Sequence, residues 1–379
     1  MGGRFYLPQL DGLRFFAFLL VFIHHSPVFP SGGRAASSLK EYGFVGVDLF
    51  FVLSAYLLIA LLHREHAATG TTDFKKFFIR RVLRIWPLFY VYVCGCFLYF
   101  LAVDGRDFTT IAGRTIGHLF FLDNFFTAFA GRYNPLNFTE HLWTIAFEEQ
   151  FYLFIPLLFL ALLGMRRSPR LFTLIVVALV VAQPLVRWGF TRFHESEITL
   201  WVVPFLHSDT IVAGLLLGAG VGAALKEKLP GSLIALTGAV LLGFTIFVLP
   251  YSDVSQSLPA RGVYFFTLFG LSFFLIVLGV LDDRSWMAWL LARQPLVFLG
   301  RISYGLYVWH FVGNQFSPGL TRAWLSTHLN LDNPFVNWLS IVLPAFTLTL
   351  ALAALSYFAL ERPFLRIKSR FTLIPNRAD

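Results

Sequence analysis

The sequence predicts an all-α fold: a polytopic transmembrane helical bundle of about ten spans, with both termini cytoplasmic. Three observations carry that reading. Of the 379 residues, 57% are hydrophobic and only 13% charged, where a soluble globular domain carries about 25% charged residues. The 45 Phe and nine Trp, with a mean hydropathy of +0.70, need more apolar surroundings than a core with a polar cover provides. The Lys and Arg also segregate along the chain. An ordinary soluble enzyme, a disordered chain and a nucleic-acid binder are thereby excluded.

A crossing helix needs about 20 apolar residues. Ten runs qualify, at roughly 10–26, 44–62, 82–103, 142–163, 171–189, 208–225, 231–250, 263–281, 295–313 and 336–360. Lipid offers the backbone no partners, so each is predicted helical. The first run is not a cleavable leader, because it holds Arg14 and ends in His24-His25-Ser26-Pro27. With the N-terminus inside, twenty of the 30 Lys and Arg fall in inside segments and nine outside, while Arg301 lies within a span. The net charge of +9 is then mostly topological bias. Residues 1–379 read as a single integral-membrane domain, with 363–379 a short basic cytoplasmic tail. The longest outside segment, about 104–141, contains HLFFLDNFF and reads as a re-entrant piece or as a loop helix in the headgroups. Cys94 and Cys96 are two apart and do not face each other, so no bridge is expected.

Spans five, seven, eight and ten are nearly free of charge, whereas one, two, four and nine are not. Ionisable groups at membrane depth face a cavity or a partner. The charged spans are therefore expected to line a site and the others to form its wall. In the first span, Arg14 and His25 are eleven positions apart, about 16 Å along one helix face; singly they also read as a snorkelling anchor and an interface histidine. Asp48, near the outer end of the second span, is expected at the depth of His25, where a carboxylate would orient the imidazole as a general base. It also reads as a helix cap. Glu148 and Glu149 in the fourth span point about 100° apart, so one need face the site. His141 lies just before them. Arg301, Ser303, Tyr304, Tyr307 and His310 put a polar stripe on the ninth span.

Arg81 and Arg84 in RRVLR share a helix face and suit phosphate, or serve as positive-inside anchors. Gly214, Gly218 and Gly222 form a small-residue face for helix packing, and Asp209 reads as a cap. His63, His66, His118, His194, His207 and His328 are expected in loops. With no H-E-x-x-H or H-x-x-x-H, no metal is expected.

The strings LDGLRFFAFLLVFIHH, GFVGVDLFFVLSAY, RRVLRIWP, HLWTIAFEEQFY, LGRISYGLYVWH and LERPF span nearly the whole chain. As a set they resemble the integral-membrane acyltransferase family 3, acyl-CoA-dependent O-acyltransferases, in its stand-alone form without a C-terminal hydrolase-like domain. The chain departs from the family pattern at Ala55 and Thr144, where Gly and Ser are usual. The resemblance implies a bacterial inner-membrane enzyme that moves an acyl group, acetyl first among them, to a hydroxyl of a glycan or other acceptor. It implies acyl-CoA as co-substrate, membrane lipids as surroundings, and no metal or nucleic acid. In that picture Arg14, Arg81, Arg84 and Arg301 hold the coenzyme A phosphates. His25 is base or acyl carrier, Asp48 orients it, and Glu148 shapes the acceptor side. Glu149, His141, Tyr304 and His310 support the acceptor. A transporter or flippase for a lipid-linked saccharide would also line a cavity with Arg, His and Glu, and is the alternative; the lack of a visible inverted repeat counts against it.

Overall fold

In a computed structural model, residues 6–27, 33–104, 107–130, 136, 138–165, 169–193, 207–249, 254–328 and 331–372 are described. Among them there is helix and no strand. The first third holds α1 (Pro8–His25), α2 (Gly33–Tyr42), α3 (Val45–Thr69) and α4 (Phe74–Tyr99), the last prolonged by a π-turn to Asp104. Then come α5 (Phe108–Leu119), α6 (Asp123–Ala130), a 3-10 turn at Glu140–Leu142, α7 (Trp143–Met165) and α8 (Pro169–Phe193). The remainder is α9 (Ser208–Gly218), α10 (Ala223–Lys228), α11 (Gly231–Phe247), α12 (Val254–Val280), α13 (Trp286–Leu291), α14 (Gln294–Arg301), α15 (Ser303–His328), α16 (Pro334–Ser356) and α17 (Arg362–Ser369).

Local chemistry sets the boundaries. Pro8 opens α1, where a missing N–H costs nothing. Asp73 caps α4 by accepting from the Lys76 N–H. Asn333 caps α16 by accepting from the N–H groups of Phe335 and Val336. Gly70, at φ 72°, ends α3 in the left-handed conformation that glycine adopts without strain.

Among the described residues, five stretches are long and apolar enough to cross a membrane: Val45–Thr69, Phe74–Val103, Glu140–Gly164, Arg170–Gly189 and Pro334–Ser369. Three shorter apolar helices, Ser208–Gly218, Gly231–Phe247 and Phe265–Val280, accompany them. That makes a multi-pass membrane protein. Two of the ten runs read in the sequence are interrupted. The run at 295–313 is two helices, turning at Ile302 between α14 and α15. The run at 208–225 stops at Gly218 and turns through Gly220 and Gly222, both at positive φ, into α10. Gly222 is therefore a turn residue, while Gly214 and Gly218 do form the close contact: a Cβ on Gly214 would lie 2.4 Å from the Val52 carbonyl oxygen of α3.

The helix α3 is the central rod. Within its apolar window 78% is buried, against 12% for α8 and 22% for the α16 stretch, so α8 and α16 form wall. One aromatic and aliphatic cluster joins α3, α4, α7 and α15; a second joins α1, α3, α9, α11 and α12; a third joins α1 to α15 and α16. The α1 and α3 helices thus carry their polar residues into the middle of the bundle. Segment 107–130 folds as α5 and α6. Phe120, Phe125, Phe126 and Phe129 face out, while Asn124 is fully buried against Gln150.

Two expectations are corrected here. His63, His66, His118 and His328 sit in helices, and His207 is buried at the entry to α9, so none of these is a loop residue; His194 lies outside the described residues. The α8 wall does carry a buried charge, because Arg187 pairs with Asp209, which also accepts from Thr267 Oγ1 at 3.0 Å. Asp209 is therefore an ion-pair partner. Residues 363–372 include α17, which packs against α4, and Arg80 Nη1 donates to the Phe371 carbonyl at 2.9 Å. This part of the basic tail is docked.

Candidate active site

Two adjoining cavities open between α1, α3, α4 and α7. The first, with about 610 Å³ of empty space including its mouth, is lined by Arg14, Ser54, Arg81, Arg84, Glu148 and Tyr304 among others. The second, of about 680 Å³, shares Arg14, Ser54, Arg81 and Arg84 and adds Tyr6, Asp11 and Lys368. Three arginines from two helices therefore stand where the cavities meet. The spacing in RRVLR explains why. Arg81 and Arg84 are three apart and face the cavity, while Arg80, one position back, turns toward Glu65 at 3.0 Å. Arg81 is 9% exposed, and its guanidinium stands 5.9 Å over the Tyr152 ring.

The two adjacent glutamates separate as their 100° offset requires. Glu148 Oε1 lines the first cavity and accepts from Ser54 Oγ at 2.6 Å and from the Tyr152 hydroxyl. Glu149 Oε2 accepts from Trp86 Nε1 at 3.1 Å, away from the lining. Tyr304 is in the lining and donates to the Ile85 carbonyl at 2.8 Å.

The inner wall of the first cavity is Thr144 and Tyr307, whose hydroxyls lie 2.7 Å apart. Both lie within hydrogen-bond distance of the His141 carbonyl, at 2.9 and 3.1 Å, so one hydroxyl donates to the other and the other to the carbonyl. Behind this partition three imidazoles meet. His310 Nε2 is 3.2 Å from His25 Nδ1, and the His310 ring centroid is 4.9 Å from that of His141. Phe311 packs against all three, stacked on His141 at 4.6 Å. Lys40 holds the end of α1 by donating to the His24 and Ser26 carbonyls, at 3.3 and 2.5 Å.

Two expected placements fail. Asp48 does not meet His25: it is fully buried and its Oδ1 receives His207 Nδ1 at 2.9 Å, with Thr210 Oγ1 at 3.5 Å. Asp48 also lies deeper than His25, since Gly46, two positions earlier, already packs against Ala17 and Val21 of α1, and its carboxylate points to α9 rather than α1. Arg301 does not line either cavity. Its Nη2 donates to the Tyr6 hydroxyl at 3.1 Å, and that hydroxyl donates to Asp11 at 2.9 Å. The residues with no role in the sequence reading are Tyr152, Trp86 and His207. Tyr152 follows Glu148 by four, one turn on, which was a usable signal; the other two come from distant chain. Among the described residues no group of three or more His, Cys, Asp or Glu is arranged to hold a metal.

A family profile described as an acyltransferase domain matches residues 7–358. The chain belongs to acyltransferase family 3. Among relatives of this chain, "O-acetyltransferase OatA" of Staphylococcus aureus strain NCTC 8325 is 31% identical over 328 residues, covering 81% of this chain and 50% of its own length. "Putative peptidoglycan O-acetyltransferase YrhL" of Bacillus subtilis strain 168 is 30% identical over 376 residues, covering 94% and 55%. The chain thus spans about half the length of the curated relatives it matches. No solved structure matches it.

The arrangement offers two chemistries side by side. Arginine forks at the junction suit a polyanion. Imidazoles behind a hydroxyl partition suit proton or group transfer in a dry setting.

Proposed function

We propose that the protein is a membrane O-acetyltransferase of the cytoplasmic membrane. It takes an acyl group, acetyl first, from acyl-CoA and esterifies a hydroxyl of a carbohydrate acceptor. The observation that carries the reading is that the cavity holding Arg14, Arg81 and Arg84 is also lined by Tyr307, whose ring lies 5.4 Å from both His141 and His310 of the His25–His310–His141 cluster.

The three arginines would hold the coenzyme A phosphates through charge-assisted forks, with Lys368 at the mouth. From there the pantetheine arm would run toward His25, about 16 Å along α1 from Arg14. As general base, His25 removes the acceptor hydroxyl proton while that oxygen attacks the thioester carbon. The C–S bond breaks, and the thiolate leaves with the proton from His25. As acyl carrier, His25 attacks the thioester carbon, the C–S bond breaks and the thiolate leaves; the acceptor oxygen then attacks the acyl carbon, the C–N bond to His25 breaks, and the hydroxyl proton passes to the thiolate. Glu148 on the Ser54 side balances the arginine charge. Peptidoglycan in the printed name of the Bacillus relative supports a carbohydrate acceptor. With an acceptor on the far side, the acyl group crosses the bilayer while coenzyme A stays behind.

The test uses purified protein in proteoliposomes with labelled acetyl-CoA and an N-acetylglucosamine oligomer. Label is expected in a base-labile ester, and His25→Ala is expected to abolish it. Full transfer by His25→Ala sinks the role given to His25. Saccharide moving across the vesicle with no donor and no ester would replace the enzyme reading with a flippase.

A further inference from the structure

A histidine that reacts through one nitrogen needs the other held, usually by a carboxylate. Asp48 is committed to His207, so that place beside His25 is filled by something else. The hydrogen bonds around the three imidazoles say what. A carbonyl oxygen only accepts, so any ring nitrogen bonded to one carries the proton. His25 Nδ1 lies 2.9 Å from the Val21 carbonyl, His310 Nδ1 2.5 Å from the Tyr307 carbonyl, and His141 Nε2 3.2 Å from the Val308 carbonyl. The neutral His310 ring therefore has its lone pair at Nε2, and that atom is 3.2 Å from His25 Nδ1. The bond runs one way: His25 Nδ1–H is shared between the Val21 carbonyl and His310 Nε2. The lone pair of His25 is left at Nε2.

We infer that His310 is the positioning residue of His25 in place of a carboxylate, and that His25 Nε2 is the reacting nitrogen. The inference rests on the reading of His25 as base or acyl carrier. In either case positive charge develops on the His25 ring, as Nε2 gains the acceptor proton or the acyl carbon. The Nδ1–H then leans on a neutral acceptor rather than on a carboxylate, which would be costly to bury unpaired at this depth. His310 can do this because it cannot turn away. It is fully buried, its Nδ1 is tied to its own helix, and Phe18 and the His141 ring flank it.

Two measurements test this. In protein labelled with 15N-histidine at neutral pH, His25 is expected as the Nδ1–H tautomer, with a lone-pair Nε2 and scalar coupling from Nδ1–H to His310 Nε2. An Nε2–H tautomer, or no coupling, overturns the inference whatever the acceptor is. In labelled acetyl transfer, His310→Phe is expected to lower kcat about 100-fold, within the range of a lost acid–base contribution, with the acetyl-CoA KM unchanged. His310→Gln, whose amide oxygen reaches the same place, is expected to recover turnover to within about tenfold of wild type. Wild-type kcat in His310→Phe, or His310→Gln as slow as His310→Phe, overturns it. If His310→Phe is not monodisperse in detergent, His310→Leu against His310→Gln carries the same comparison. A dead His25→Ala beside a fully active His310→Phe removes only the positioning role; a fully active His25→Ala removes the reading beneath it.

Discussion

Arg80 and Arg81 are neighbours in sequence and opposites in function, which makes substitution of each a sharp test. Arg81 lines both cavities, and its Nε has no hydrogen-bond partner among the described residues. A charge-assisted hydrogen bond is worth about 1.5–3 kcal/mol. If Arg81 grips a phosphate, Arg81→Ala is expected to weaken coenzyme A binding by about 10- to 150-fold, with little loss of stability; Arg81→Lys should fall between, having charge without the fork. Arg80 is spent elsewhere. Its Nη2 is 3.0 Å from Glu65, which is 3% exposed, and its Nη1 holds the Phe371 carbonyl. Arg80→Ala leaves that carboxylate buried without its ion-pair partner, a loss of about 3–5 kcal/mol of stability, while the folded fraction binds coenzyme A as before. Adding Glu65→Gln should recover part of the stability, because the amide oxygen can still accept from the Asp73 N–H. Thermophoresis with coenzyme A and thermal unfolding, both in detergent, read the two quantities separately. Coenzyme A affinity that falls in Arg80→Ala and stays in Arg81→Ala would refute the reasoning.

Three further outcomes are expected. Asp209→Ala strands the buried Arg187 and should lower stability by about 3–5 kcal/mol, and adding Arg187→Leu should recover much of it; unfolding midpoints of the three variants check this. A Cβ at Gly300 would lie 1.7 Å from the Asp11 carbonyl oxygen, so Gly300→Ala must push α14 off α1 and is expected to destabilise the protein by about 1–3 kcal/mol or more; an unchanged midpoint would contradict the packing. Asp73 accepts the Lys76 N–H at the start of α4, which holds its carboxyl below the ordinary value. Its folded pKa is the lower one, so its contribution is complete above about pH 4 and is lost as pH falls further. The stability difference between wild type and Asp73→Ala should accordingly shrink on acidification, and a gap that widens would reverse the sign.

The class of the molecule was legible because it depends on composition alone: a chain this apolar, with its few charges gathered on particular helices, has a bilayer as solvent. Local spacing was legible too. It put Arg81 and Arg84 on one face, Gly214 and Gly218 against a neighbour, and Glu148 and Glu149 on different sides. Periodicity states which residues share a face and stops there, because the partner of that face is chosen by helix packing. Asp48 was matched to the wrong histidine and the wrong depth, since α3 sets it inward of His25 and its partner is 159 residues away at the entry to α9. Arg301 looked like a fourth phosphate ligand until the turn at Ile302 set it against Tyr6. The choice between Glu148 and Glu149 was open to a one-dimensional reading for the same reason. The sequence by itself determined the solvent, the helices and the face each charge occupies. Only the tertiary structure decided which faces meet, because a buried polar group is satisfied by whatever the crossing of two helices brings within about 3 Å, and crossings are set by packing over the whole length of both.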